Sequence, residues 1–166
     1  AMADHVAEID AIVGNEEPAG FDNTVAALDY AGQLLTRVAN VFFAKNAADT
    51  NERVQEIAKE VAPQLSAHSD AIMMNADLFA RVKAVYDGRA DLNLTGEQMR
   101  LLEETYEDFV RGGAELEGEA KERMAEINKR LSVLSLQFGE NLLAENNAFK
   151  LVIESEAELA GLRRQE

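Results

Sequence analysis

With 166 residues, 47% of them apolar, the chain is long enough for one buried core and too apolar for disorder. Its formal charge of −15 opposes phosphate backbones and anionic lipid, so neither nucleic acid nor membrane is an expected partner. The absence of cysteine excludes disulfides, thiolate metal sites and cysteine nucleophiles, and no apolar run approaches the roughly 18 residues that a spanning helix needs.

Apolar residues recurring at three and four predict an all-α fold, a mostly antiparallel helical bundle. The opening AMADHVAEID has neither the basic nor the apolar region of a targeting signal, and Val6, Ile9 and Val13 predict a short helix from Asp4 to Val13. Gly14, Pro18 and Gly20 interrupt it. A long helix is expected to begin near Asn23 or Thr24, with Asp22 or Asn23 as N-cap and Phe21 packing back on the first turns, and to run to Phe43. Val25, Leu28, Leu35, Val38 and Phe42 mark its apolar face, which Ala27, Ala31, Leu34 and Val41 widen.

Asp49 and Glu52 have the spacing of a capping box for the next helix, whose stripe is Val54, Ile57, Val61, Leu65, His68 and Ile72. Pro63 lies within that stripe. Its ring crowds the carbonyl of Lys59 and it lacks an N–H, a cost of about 3 kcal/mol in a regular helix, so a kink or break is expected near Val61 and Ala62. A shorter helix follows from Ala76 to Asp87 and stops at Gly88, with DGRADLN as a loop. Thr95 and Gln98 form another capping box, and the helix they start carries Met99, Leu102, Tyr106 and Phe109 before Gly112 and Gly113 end it. The longest helix is predicted from Gly118 to Asn146, with Met124, Ile127, Leu131, Leu134, Phe138 and Leu142 as its seam and Glu117 as a weak cap. In KLVIES, near 149–154, the period changes to two and a short C-terminal strand is expected; its ladder partners would have to lie in further chain. No internal repeat is evident.

Chemistry is sparse. A zincin site needs two histidines one helical turn apart with a glutamate beside the first, and neither His5-Val6 nor His68-Ser69 begins such a motif. His68 sits on the apolar stripe and is read as a partly buried, hydrogen-bonded histidine; His5, near the start, receives no role. No Glu-x-x-His tetrapeptide of a di-metal bundle occurs. The run EETYED from Glu103 to Asp108 and the acids Glu115, Glu117 and Glu119 read as solvated helix faces. Ser66, Ser69, Ser132 and Ser135 lack a histidine and carboxylate in any recognisable arrangement. Met73, Met74 and Phe79 suit core packing better than a partner groove. No catalytic, cofactor-binding or metal-ligating residue is assigned.

Segments across nearly the whole chain nevertheless carry a resemblance: FDNTVAALDYAGQLLTRVANVFF at Phe21 to Phe43, VAPQLSAHSDAIMMNADLFARVKAVYD at Val61 to Asp87, LNLTGEQMRLLEETYEDFVRGGAEL, KERMAEINKRLSVLSLQFGENLLAENNAFKLVIE, and ELAGL ending at Leu162. Together they resemble the N-terminal helical region of the zinc metallopeptidases related to thimet oligopeptidase, oligopeptidase A and the peptidyl-dipeptidases. The tail LRRQE departs from that pattern, where a proline usually follows AGL. The resemblance implies a helical N-terminal lobe at 1–148 and a segment at 149–166 leading into a catalytic part not present here. In such relatives the lobe forms one wall of a channel that admits short peptides, while zinc, absent from this chain, does the hydrolysis on the other part. The 166-residue chain is then expected not to be an enzyme itself. Its expected partners are that catalytic part and, without it, a second copy in a homodimer. The expected compartment is the cytoplasm, or the periplasm where a signal peptide precedes the segment. The competing expectation is a free-standing helical interaction module whose apolar faces serve a protein partner.

Overall fold

The computed structural model describes residues 1–152, 154 and 155, and over them the chain is all-α with no strand. The helices are α1 (Met2–Val13), α2 (Ala27–Tyr30), α3 (Gln33–Ala48), α4 (Glu52–Met73), α5 (Ala76–Asp87), α6 (Gly96–Arg111) and α7 (Gly118–Ala148). A π-helical turn over Phe21–Ala26 leads into α2, and a 3₁₀ turn over Arg89–Asp91 lies within the loop after α5.

Local signals set several boundaries. The Thr95 hydroxyl accepts from the Gln98 N–H at 3.2 Å while the Gln98 side chain accepts from the Thr95 N–H at 2.9 Å, the reciprocal box expected for α6. Asn75 caps α5 by accepting from the Leu78 N–H at 3.0 Å. Glu117 makes no side-chain cap bond to α7.

Four expectations need correction. The helix from Asn23 to Phe43 is not continuous: it begins at Phe21, where the Gly20 N–H donates to the Asn23 side chain at 2.8 Å, and it breaks at Ala31 and Gly32. The cap of α4 is Asn51, accepting from the Val54 N–H at 3.0 Å, whereas Asp49 belongs to the end of α3 and pairs with Lys45 at 2.9 Å. The helix α4 runs 22 residues and does not break at Pro63. The lost hydrogen bond is outweighed by packing along its length, where Ala58 and Ala62 are buried and α7 lies alongside. The strand expected at 149–154 is not seen among the described residues: 149–152 are irregular and exposed, and Ile153 lies outside the described residues. The tail from 156 to 166, including ELAGL, also lies outside them.

Burial is concentrated on one side of the chain's length. Ile9 and Ile12 of α1, Ile72 of α4, Leu78, Phe79 and Val82 of α5 and Phe109 of α6 form one apolar cluster. Phe21, Val25, Val85 and Leu102 form a second. A column of rings runs beside them: Arg89 lies 3.9 Å over Tyr86, Tyr86 stacks on Tyr106 at 3.9 Å, and Phe79 continues the column to Tyr106 at 5.8 Å and Phe109 at 6.0 Å. Met74 and Phe79 are buried, as core packing requires. Arg81 ties the loop after α1 to α5 by donating to the carbonyls of Asn15 at 2.8 Å and Glu17 at 3.3 Å. By contrast α3 and α7 contain no buried residue. Polar contacts fasten α7 to α4: Lys59 pairs with Glu140 at 2.8 Å, Asn128 donates to Asp70 at 2.7 Å, and Lys121 donates to the Met74 carbonyl at 2.7 Å.

Candidate functional site

The break between α2 and α3 builds the most distinctive site. Ala31 is extended and Gly32 adopts a left-handed φ of 71°, a conformation glycine enters without steric cost. The Gly32 N–H has left the helical ladder and donates to the Glu8 carboxylate of α1 at 2.6 Å. Room matters as much as dihedral angle here. A Cβ on Gly32 would come within 2.6 Å of the His5 imidazole, so the ring of His5 is seated directly on the glycine backbone.

From that seat, His5 Nδ1 meets His68 Nε2 of α4 at 3.0 Å, with the ring centroids 5.0 Å apart and the rings tilted by 57°. At that separation one nitrogen must carry the proton and the other accept it. His5 is thereby held below its ordinary pKa, first by burial and next by the charge of the His68 ring, with the Glu8 carboxylate opposing both. The two rings line an open cavity of about 460 Å³. Its apolar wall comes from Leu28, Leu35, Leu65, Ile72, Met73 and Phe109, and its polar rim includes Asp29, Thr36, Asn40, Ser69, Thr105 and Asp108. Such a mixed wall can hold a small apolar group beside a hydrogen-bonding imidazole.

His68 is thus hydrogen-bonded and half-buried, as the stripe reading requires, but its partner is His5, a residue with no role in that reading. The two are 63 residues apart, beyond any local spacing rule. The available signal was Gly32 itself, a glycine inside an otherwise helical pattern. Of the serines, Ser69 lines the cavity and Ser132 donates to the Lys129 carbonyl at 2.8 Å. In the EETYED run, Glu104, Glu107 and Asp108 are exposed, and Arg100 and Arg111 pair with Glu104 and Glu107 at 2.8 Å each. The two histidines are not placed as a zinc pair. Two histidines already spend facing nitrogens on each other, and among the described residues no group of three or more His, Asp or Glu side chains is placed to hold a metal ion.

No family model matches the chain. Curated relatives do. Dipeptidyl carboxypeptidase of Escherichia coli (strain K12) is 41% identical over 160 residues, covering 96% of this chain and 24% of its own length. Oligopeptidase A of Salmonella typhimurium is 27% identical over 162 residues, 98% of this chain and again 24% of the relative. A thimet-like oligopeptidase of Dictyostelium discoideum is 29% identical over 143 residues, 84% of this chain and 21% of the relative. The chain therefore spans about a quarter of the length of the relatives it matches.

Proposed function

The chain belongs to the thimet oligopeptidase and peptidyl-dipeptidase family, and from that premise we propose that it is the N-terminal, non-catalytic helical segment of such a peptidase. The observation that carries this reading is the asymmetry of the match, which takes in 96% of this chain but only 24% of the dipeptidyl carboxypeptidase. Residues 1–148 are the helical lobe, and 149–166 lead toward the catalytic part. The lobe forms one wall of the channel through which short peptides reach a zinc centre built by other residues. It selects by size and takes part in closure, while hydrolysis belongs to the remaining three quarters. The parent resides in the cytoplasm, or in the periplasm behind a signal peptide.

Support also comes from what the helices leave uncovered. Residues that a lone domain would be expected to bury, including Leu131, Leu134 and Phe138 of α7, are exposed. A second reading draws on the same observation: without the catalytic part, this row serves a protein partner, and the nearest available partner is a second copy of the chain.

Reconstitution tests the proposal. The purified chain with zinc is expected to cleave no peptide and to bind zinc more weakly than micromolar. Mixed with Escherichia coli dipeptidyl carboxypeptidase from which the matching quarter has been removed, it is expected to restore dipeptide release. Cleavage by the chain alone, or a stoichiometric zinc site tighter than micromolar that His68→Ala abolishes, overturns the reading. Failure to bind the truncated enzyme, together with a stable homodimer, favours the interaction module.

A further inference from the structure

The histidine pair links three parts of the fold at one point. His5 belongs to α1, its ring lies on Gly32 where α2 gives way to α3, and its Nδ1 meets Nε2 of His68 on α4 at 3.0 Å. No residue of α1 before Ile9 is buried. Its buried residues are Ile9 and Ile12, one and two turns further along, so the first turns of α1 depend on His5 and on the Glu8 bond to Gly32.

We propose that the His5–His68 contact is a proton-controlled latch, closed while the two imidazoles share one ring proton and opened when both rings are charged, which frees the start of α1 from Gly32 and uncovers the adjoining cavity. The balance of protons is simple. A neutral pair has one N–H and one lone pair facing each other, and a singly protonated pair still has one of each. A second added proton leaves two N–H donors and two positive charges 3.0 Å apart with no acceptor between them.

The surroundings decide where this happens. Glu8 comes from the same helix and its carboxylate favours a charged His5, but it is already engaged by the Gly32 N–H at 2.6 Å. From α2 and α6 the carboxylates of Asp29 and Asp108 line the cavity, both on exposed residues. From α3 the cavity wall carries Leu35, Thr36, Ala39 and Asn40, none of them charged, and α4 contributes His68 beside neutral Ser69. Burial and the neighbouring ring outweigh Glu8, so His5 resists protonation relative to its ordinary value of 6.5. The sign follows: the unfolded or detached histidine binds its proton first, so the latch contributes fully above pH 6.5 and is lost as pH falls through the lowered folded value. The site opens in acid and closes at neutral pH.

Hydrogen exchange of the 166-residue chain, corrected for intrinsic rates, reads this directly. Protection of the Gly32 amide and of the α1 amides is expected to fall at least about ten-fold between pH 7.5 and 5.5, with protection in α5 and α6 unchanged. His68→Gln keeps a side chain that can donate to His5 or accept from it but cannot take a second charge, so the same acid step should change protection by less than about two-fold. Carbon-13 spectra of the wild-type imidazoles supply a measurement independent of the variant's folding. They should show one ring titrating below its ordinary range and the two titrations interdependent. Unchanged wild-type protection at pH 5.5 overturns the latch. So does an equal loss in His68→Gln, or two rings titrating independently near 6.5. Any of these results leaves the peptidase-segment reading untouched, because reconstitution at neutral pH does not depend on the pair.

Discussion

The 12-residue α5 and the 31-residue α7 carry the same kind of apolar spacing, yet α5 buries Leu78, Phe79, Val82 and Val85 while α7 buries nothing. The difference lies in their surroundings. Helix α5 is enclosed by α1, α6 and the π-helical turn, so each turn of its stripe meets a neighbour. Among the described residues helix α7 packs chiefly on α4, and its seam from Ile127 to Leu142 stays exposed. Periodicity fixes which residues share a face. It does not determine whether that face has something to meet.

Truncating one large side chain in each region probes this contrast most strongly. Phe109→Ala and Leu102→Ala remove side chains that are 1% and 0% exposed, and each should cost about 3–5 kcal/mol in urea or thermal unfolding. Leu131→Ala and Phe138→Ala, at 53% and 72% exposed, should cost less than about 1 kcal/mol. Comparable losses in the two pairs would show that α7 is packed in solution in a way the present arrangement does not contain.

Next in size is the junction that ends α2. Gly32→Ala forces a side chain into a left-handed conformation and against His5, and a loss of about 1–3 kcal/mol is expected. Combining it with His5→Ala should recover part of that loss, since the steric component disappears while the dihedral component remains. Strict additivity in calorimetry would mean that the ring does not rest on Gly32.

This junction also marks where sequence reading stops. The Thr95 and Gln98 box was legible because donor and acceptor lie three residues apart, as was the stop of α5 at Gly88. The break at Gly32 was not, because the groups that compensate it, Glu8 and His5, arrive from another helix, with Glu8 separated by 24 residues. Asp49 and Asn51 are both competent N-caps, and Asp49 was removed from contention by its bond to Lys45 at the end of α3. Pro63 illustrates the opposite error: a local penalty was visible, whereas the neighbouring helix that overrides it was not. Fold class survived these misses because the helical period persists on either side of each. The histidine site did not, because only tertiary structure brings its two halves together.

His68→Leu gives a smaller effect and separates the stripe from the pair. On the stripe alone, leucine continues the Leu65 and Ile72 face and should be tolerated. In the structure it also leaves His5 Nδ1 without its partner, so a loss of about 0.5–1.5 kcal/mol at pH 7.5 is expected. The loss should shrink toward pH 5.5, where the wild-type pair is itself weakened. A neutral or stabilising outcome at pH 7.5 would make the 3.0 Å contact energetically empty.

The smallest effect on folding should be accompanied by the clearest effect on association. Serine at both Leu131 and Phe138 is expected to leave the unfolding midpoint of the isolated chain almost unchanged at low concentration, because neither side chain is buried. If α7 pairs with a second copy, light scattering should show a dimer for the wild type and a monomer for the double variant. Salt then distinguishes the force involved. Two chains of formal charge −15 repel, and raising ionic strength screens that repulsion while leaving apolar contact intact, so the wild-type dimer should tighten from low to moderate salt. Weakening with salt would assign association to ion pairs, and a strict monomer at every salt concentration would show that water is an adequate neighbour for this face. In that case the exposed row of α7 would have no use between copies of the chain, and a requirement for the catalytic part of the proposed parent would be the simpler account of it.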